Sequence, residues 1–337
     1  MKTAIVTGLT GQDGSYLADQ LIEEGIKVYG LVRRTSRGTD LGNANHLQNN
    51  SLLEVVEGDI TDLPSLIKLC NLAKADYFLH TAAQSHVGTS FSQPVYTAQC
   101  TGIGTLNCLE AIRVSGYHTR FLNCATSELF GGISSEPCNE ETPFYPRSPY
   151  GVAKLFGHHI TVNYRESYKM FACSSICFNH ESRRRSDTFV TRKISKAVAH
   201  IKKGLQDKLF LGNLDARRDW GDARDYVRAM ILMLQKSPLP KDYVIATGVA
   251  HSVRDFCDLA FKHVGLNYQQ YVEIDPTFYR PAEVDVLVGD ASAIKKDLGW
   301  KPECSFGQLV EDMVDWDMGL LSDQQGENIY VSTTTCY

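Results

Sequence analysis

Tyr150 and Lys154 stand four residues apart in SPYGVAKLFG, so a helix over this stretch turns both side chains to one face. An ammonium beside a phenol stabilises the phenolate and lowers the tyrosine pKa. Such a group can take a proton from an alcohol while hydride leaves the same carbon. Tyr-x-x-x-Lys is common on ordinary helices, and it gains meaning from what precedes it. CATSELFG, residues 124 to 131, follows a run that reads as a buried strand and places Glu128 where the chain leaves the sheet. From spacing alone, Glu128 reads equally as a working carboxylate or as a helix-N-terminal charge, and Thr126 reads equally as a cap.

A pair of this kind needs a scaffold that brings a cofactor to it. Short apolar runs, TAIVT (3–7), KVYGLV (27–32), LLEVVEG (52–58), ADYFLH (75–80), RFLNCA (120–125) and ACSSICF (172–178), recur with helical stretches between most of them. In GSYLADQLIEEG, Leu17, Leu21 and Ile22 share a helical face and Gly25 offers a stop. The alternation predicts an α/β fold with a doubly wound parallel sheet of Rossmann type.

TGLTGQDG sets Gly8, Gly11 and Gly14 between the first strand and the first helix, where a bare backbone and the helix N-terminus favour a pyrophosphate. A glycine triplet alone is often just a tight turn; strand before and helix after make it a dinucleotide signature. The second strand ends in Arg33 and Arg34 with no acid beside them, which favours the 2′-phosphate of NADP over the 2′-hydroxyl of NAD. Asp59, in EGDITD, falls at the end of the third strand, where it could accept from an adenine amino group.

Beyond about residue 180 the pattern loosens into Arg-rich and Gly-rich stretches between amphipathic helices, as a smaller mixed α/β lobe facing the strand ends would show. The expected division is residues 1–180 for the NADP-binding domain, with later segments free to return to it, 181–325 for the substrate lobe and 326–337 for a tail. The closing QQGENIYVSTTTCY carries no helical pattern. With 34 Lys+Arg against 39 Asp+Glu, the charge of −5 offers no general attraction to nucleic acid or an anionic membrane, so any anion site is local. No apolar run could span a bilayer and MKTAIVTG runs into a strand, so a cytoplasmic protein is expected. The ten cysteines are scattered without a Cys-x-x-Cys. Cys173 and Cys177 read as buried thiols on one strand face; zinc with His180 is a remote alternative, and no metal is expected.

Following the phosphate loop and five strands, SPYGVAK resembles the extended short-chain dehydrogenase/reductases, and the chain resembles most the GDP-mannose 4,6-dehydratase family among them. TGLTGQDGSYL, LVRRTS, AAQSHVGTSF, TSELFG, NHES, TFVTRKI, LGNLDARRDWG, DYVRAM, IATG, YRPAEVD and LGWKP match that family's signatures in order over nearly the whole chain. The resemblance implies conversion of GDP-D-mannose to GDP-4-keto-6-deoxy-D-mannose and water, on the way to GDP-6-deoxyhexoses such as GDP-fucose or GDP-rhamnose. Hydride would pass from sugar C4 to NADP while Tyr150, beside Lys154, takes the hydroxyl proton. The ketone acidifies C5–H, Glu128 removes that proton and protonates the departing C6 hydroxyl, Thr126 bonds near the C4 oxygen, and hydride returns to C6.

The resemblance also implies the contacts. Cofactor contacts fall on Gly8, Thr10, Gly11, Gln12, Asp13 and Gly14 in the phosphate loop and on Arg33, Arg34, Asp59 and Ile60 after the next strands. Further ones fall on Ala82, Ala83, Gln84, Ser85 and Tyr96, and on Tyr150, Lys154, His180 and Arg185. Ser85, Glu128 and Asn179 would touch the sugar nucleotide, with Lys193, Gly212, Arg218, Arg280 and Glu283 around its nucleotide diphosphate; arginines suit a pyrophosphate and Glu283 a ribose hydroxyl or guanine N–H. Arg183 and Ser186 depart from the family's Pro and Gly, and the lost glycine would restrict that loop. The stretch RRTSRGTDLGNANHL is long for a βα turn. In relatives it reaches a neighbouring subunit's cofactor, which implies a dimer or tetramer with residues 33–47 at the interface. Rival readings are a dTDP- or CDP-glucose dehydratase, a UDP-sugar 4-epimerase, a dehydratase that also reduces its ketone with NADPH, and a non-catalytic NADP-sensing regulator.

Overall fold

The computed structural model describes residues 1–36, 38–132, 137–279 and 286–331, with side chains through residue 322. The apolar runs become β1 (Thr3–Thr7), β2 (Lys27–Val32), β3 (Leu53–Glu57), β4 (Tyr77–His80), β5 (Arg120–Thr126) and β6 (Ala172–Cys177), all parallel in one sheet. Between them run α1 (Gln12–Glu23), α2 (Leu63–Ala73), the short α3 (Val87–Ser92) and α4 (Pro94–Thr97), α5 (Gly104–Ser115) and α6 (Pro149–Tyr168).

The smaller lobe begins with β7 (Asn179–Glu181), α7 (Val190–Lys202), β8 (Leu209–Leu211) and β9 (Arg217–Asp222). The chain then returns to the first sheet: α8 (Ala223–Lys236) packs on α1, and β10 (Tyr243–Ile245) pairs in parallel with β6. The sheet therefore has seven strands in the order β10-β6-β5-β4-β1-β2-β3. In the lobe, β11 (Ala250–Ser252), α9 (Val253–His263), β12 (Val272–Ile274), β13 (Val286–Leu287), α10 (Ser292–Leu298) and α11 (Phe306–Val331) follow, and β9 pairs with β7, β11 and β13.

Residue alternation explains the layers. Val6, Leu79 and Leu122 pack with Leu17 and Leu21 of α1 and Met230 of α8, whereas their neighbours Ile5, Phe78 and Phe121 pack with Leu66 of α2 and Leu109 and Ile112 of α5. Successive strand residues face opposite sides, and both sides are apolar because both are covered. A third core, with Val198 of α7, Trp220, Phe256 of α9 and Met313 of α11, holds the lobe together.

The stretch after Arg33 is ordered in part by Leu41, Ala44 and Leu47, which are buried on a 3₁₀ turn over Gly42–Leu47. At the other end, α11 runs to Val331, through residues 326–331 where the sequence predicts a tail. A helix already nucleated and docked adds one hydrogen bond per residue fixed, so it propagates without an apolar period of its own.

Candidate active site

Three local devices aim the carboxyl edge of the sheet at one cavity. The first is the turn after β1. Gly8 has φ of +75°, and a Cβ on Gly14 would lie 2.1 Å from the Gly8 carbonyl oxygen, so the loop and α1 touch backbone to backbone. The second is the exit of β5: the Thr126 hydroxyl accepts from the Glu128 N–H at 3.3 Å and caps a single 3₁₀ turn over Ser127–Leu129. Thr126 is therefore a cap, and its hydroxyl also reaches the Tyr150 phenol. The third is the start of α6, where Ser148 Oγ accepts from the Gly151 N–H at 3.0 Å and Pro149 fills the first turn, fixing the helix phase that presents Tyr150 and Lys154 together.

The resulting cavity has a volume of about 1340 Å³, room for a dinucleotide and a second nucleotide together. Its wall holds Gly8, Thr10, Gly11, Gln12, Asp13 and Gly14 from the phosphate turn, then Arg33, Asp59, Ile60, Ala82, Ala83, Gln84, Ser85 and Tyr96. Thr126, Glu128, Tyr150 and Lys154 form its floor, and Asn179, His180, Arg185, Lys193, Gly212 and Arg218 close it from the lobe. Arg34 stays outside the wall, its side chain 75% exposed and 3.8 Å from Glu57. Arg280 and Glu283 lie outside the described residues.

The floor is desolvated: Thr126, Glu128, Tyr150 and Lys154 are each at most 9% exposed. Lys154 Nζ donates to the Cys124 carbonyl at 2.5 Å and stands 6.0 Å from the centroid of the Tyr150 ring. Burial pushes the Lys154 pKa down. Burial also pushes the Tyr150 phenol up, aided by the charges of Cys124 and Glu128 and opposed by the Thr126 hydrogen bond. The expected lowering by lysine is thus absent in the protein alone, because the ammonium is directed at a backbone oxygen and desolvation dominates.

A buried ion pair joins the two lobes across the phosphate turn. His180 Nε2 bonds Asp13 Oδ2 at 3.1 Å and Nδ1 bonds the Phe178 carbonyl at 2.8 Å, while the ring stacks on Tyr226 at 4.7 Å. Two acceptors on one imidazole mean two donated protons, hence a cation. Burial opposes that charge, but Asp13 outweighs it and the His180 pKa rises to about 9. Burial likewise opposes the Asp13 carboxylate, and His180 with Gln12 holds it well below the ordinary range. Gln12 completes the joint, donating to the His180 carbonyl at 3.0 Å and accepting from Ser182 at 2.9 Å.

The three arginines after NHES go three ways. Arg183 stacks on Trp316 of α11 at 4.5 Å, and Arg184 bonds Asp19 at 2.7 Å and Ser15 at 3.1 Å on α1. Only the third of them, Arg185, enters the cavity wall, where it lies 3.6 Å from the centroid of the Phe189 ring and forms a 3.0 Å ion pair with Glu181. Ser186 keeps an ordinary negative-φ backbone, so the glycine freedom expected at that position is not needed. Arg33 donates to the Tyr96 hydroxyl at 3.0 Å, a bond that also raises its pKa. Lys193 lies 3.7 Å from the centroid of the Phe278 ring, its pKa lowered by burial.

Sequence reasoning missed Glu181 and Phe189, which hold Arg185, and Cys124 and Cys177, which line the cavity. A signal existed for Cys124, since a residue two before Thr126 on the same strand shares its face. None existed for Phe189, which reaches the site only through the lobe's fold.

A glycine-lined phosphate turn, a Tyr–Lys pair on α6 and a second lobe over the strand ends define an extended short-chain dehydrogenase/reductase. Solved structures agree on the fold: a Thermotoga maritima UDP-glucose 4-epimerase with UDP-glucose superposes with a TM-score of 0.83 at 25% identity, covering 95% of this chain and 99% of that one. The structure of RMD from Pseudomonas aeruginosa complexed with NADPH gives 0.79 at 23% identity, covering 95% and 100%. The family model for GDP-mannose 4,6 dehydratase matches residues 5–313. Curated relatives include GDP-mannose 4,6 dehydratase 2 of Arabidopsis thaliana, 50% identical over 95% of this chain and 87% of its own length. The Vibrio cholerae GDP-mannose 4,6-dehydratase is 44% identical over 98% and 99%, and the Homo sapiens one 46% identical over 95% and 92%. The chain belongs to the GDP-mannose 4,6-dehydratase family, a family of hydro-lyases.

Proposed function

We propose that this protein dehydrates GDP-D-mannose to GDP-4-keto-6-deoxy-D-mannose with NADP as its resident cofactor. The observation that carries the reading is the meeting of Glu128 with Tyr150 and Lys154 in one buried floor, between a dinucleotide-shaped half-cavity and a lobe carrying Lys193 and Arg218. A 4-epimerase or simple dehydrogenase needs the Tyr–Lys pair; removing water from C5 and C6 also needs a carboxylate that can give and take a proton.

The residues fit the cofactor. The bare phosphate turn, held against α1 by a backbone contact that a Cβ at Gly14 would break, leaves its N–H groups open to a pyrophosphate, and Arg33 in the wall, with Arg34 exposed beside it, offers positive charge for a 2′-phosphate. The nicotinamide, when bound, would supply a two-electron store for the hydride that leaves sugar C4 and enters C6. Around it, Tyr150 accepts the C4 hydroxyl proton, its phenolate favoured by the Thr126 hydroxyl. Glu128 then removes the proton from C5, acidified by the neighbouring ketone, and delivers it to the departing C6 hydroxyl. Exclusion of water from this floor keeps each charge effective and prevents loss of the intermediate. Asn179 and Ser85 orient the sugar, and Arg218 and Lys193 hold the diphosphate, the arginine anchored by its bond to the Arg217 carbonyl at 2.8 Å.

The stretch 33–47 is long for a βα turn and carries Arg34, exposed and outside the cavity wall, which supports a homo-oligomer in which it reaches a neighbour. No described helix is long and apolar enough to cross a membrane, and the nine described cysteines are free thiols, which supports a reducing, cytoplasmic setting. Purified protein given GDP-mannose and NADP is expected to yield a nucleotide sugar lighter by one water with no net build-up of reduced cofactor. Unchanged GDP-mannose, or reduced cofactor rising in step with product, would contradict the reading.

A further inference from the structure

Ser182 to Arg185 form one turn, and each of its four residues has an anchor of its own. The Arg185 N–H closes the turn on the Ser182 carbonyl at 3.0 Å, and the two central residues, Arg183 and Arg184, both have negative φ, which is type I geometry. Ser182 Oγ accepts from the Arg184 N–H at 3.0 Å and donates to Gln12 at 2.9 Å, tying the first corner to the phosphate turn. Arg184 lies over the Tyr16 ring at 4.0 Å and bonds Asp19, and its carbonyl accepts from Asn43 at 2.9 Å. Arg185, the last of the four, enters the cavity wall.

Arg183 holds the second position of the turn, where proline is favoured because its ring fixes φ, and where this chain departs from the family's Pro. Without the ring the turn needs another restraint there. Arg183 supplies it by setting its guanidinium over the half-exposed Trp316 at 4.5 Å. The neighbour of that tryptophan on α11, Asp317, is buried, pairs with Arg192 of α7 and accepts from Ser195 Oγ at 2.7 Å. α11 thus grips the chain at the turn and again at the start of α7, on both sides of the wall residues Asp187, Thr188 and Phe189. We infer that Trp316 is a positioning residue for cofactor binding: through Arg183 it fixes the turn that presents Arg185, achieving by a side-chain contact what a proline achieves by its ring. The inference rests on the reading of NADP as the resident cofactor, with Arg185 beside it. Neither Trp316 nor Arg183 is in the cavity wall, so their loss leaves Glu128, Tyr150 and Lys154 in place and is felt in binding.

The test is calorimetric titration of the full chain with NADP, together with kcat at saturating GDP-mannose and NADP. Trp316→Ala and Arg183→Ala are each expected to weaken NADP binding about threefold, and in combination no more than either alone, with kcat unchanged. Arg185→Ala is expected to weaken it about tenfold. Adding Trp316→Ala to that variant should bring no further loss, because the turn then has no cation to present. Arg183→Pro is expected to restore wild-type binding to Trp316→Ala, since a proline-fixed turn and a cation–π contact near solvent are of similar strength. A general loosening of the lobe would not be cured by a proline in the turn. If Trp316→Ala fails to fold, Arg183→Ala, at an exposed position, carries the same test. Wild-type affinity in both single variants would overturn the inference, and losses from Trp316→Ala and Arg185→Ala that multiply would overturn the route through Arg185. A wild-type protein that binds no NADP would overturn the cofactor reading and this inference with it.

Discussion

The floor of the cavity and its arginine rim are built on opposite principles. Glu128, Tyr150 and Lys154 are almost wholly buried, and desolvation moves the phenol and the ammonium from their ordinary pKa values, whereas Arg33 and Arg34 sit at the edge of the solvent. A buried group moves its pKa because water no longer stabilises its ion; a group at the rim keeps most of its hydration and is screened by salt. The Asp13–His180 pair lies between the two cases, His180 buried like the floor, Asp13 partly exposed, and their charges neutralised within the pair. In the proposed function, chemistry is confined to the floor, alignment of the lobes to the ion pair, and choice of cofactor to the rim.

The steepest way to break this comparison is at the floor. Tyr150→Phe removes the proton acceptor while keeping the ring that fills the site, and kcat is expected to fall by about 10³-fold with little change in melting temperature. A loss under tenfold would deny the phenol its role.

The ion pair sharpens the middle ground through pH. His180 has its folded pKa raised from 6.5 to about 9, so its contribution to stability is complete below 6.5 and is lost as pH rises through 9. Asp13, with its pKa depressed, contributes above its ordinary 3.8 and loses that contribution as pH falls. His180→Asn is expected to lose stability at pH 6 and to flatten the decline between pH 6.5 and 9, an effect of at most about 3 kcal/mol. It should also raise KM for both cofactor and sugar nucleotide, since Asp13 faces one and Asn179, beside His180, the other. Thermal melts across that pH range in both proteins, with the two KM values, check it; parallel melting curves would refute the pair's charge.

The smallest effect belongs to the rim. Arg33→Ala is expected to weaken NADP binding about tenfold while leaving NAD binding nearly unchanged, and the difference should shrink as salt is raised. Equal losses for the two nucleotides, measured by calorimetry, would place the 2′-phosphate elsewhere.

The contrast also explains what the sequence could convey. Strands β1 to β6 were legible because each carries its own apolar run, and the phosphate turn because its glycines answer a backbone demand within eight residues. Tyr150 and Lys154 were legible because one helix places both. β10, three residues long, and the return of α8 onto α1 were not, since only the finished sheet shows an edge for them to join. At the site, the direction of Lys154 toward the Cys124 carbonyl and the raised phenol are products of packing density, to which spacing is blind. The fates of Arg183, Arg184 and Arg185 depend on which element lies beside each, Trp316, Asp19 or Glu181, far apart along the chain for the first two. The resemblance implies a proton-carrying role for Glu128, and geometry adds that it is buried in the same floor as the phenol.

The central claim is that Glu128 moves the C5 proton. Wild-type protein and Glu128→Gln would be incubated with GDP-mannose and NADP in deuterium oxide, and the nucleotide sugars read by NMR for deuterium at C5. The account predicts deuterium at C5 in the dehydrated product of the wild type, and in the variant neither dehydration nor exchange. Deuterium entering C5 at an undiminished rate in Glu128→Gln would assign the proton to another group and contradict it.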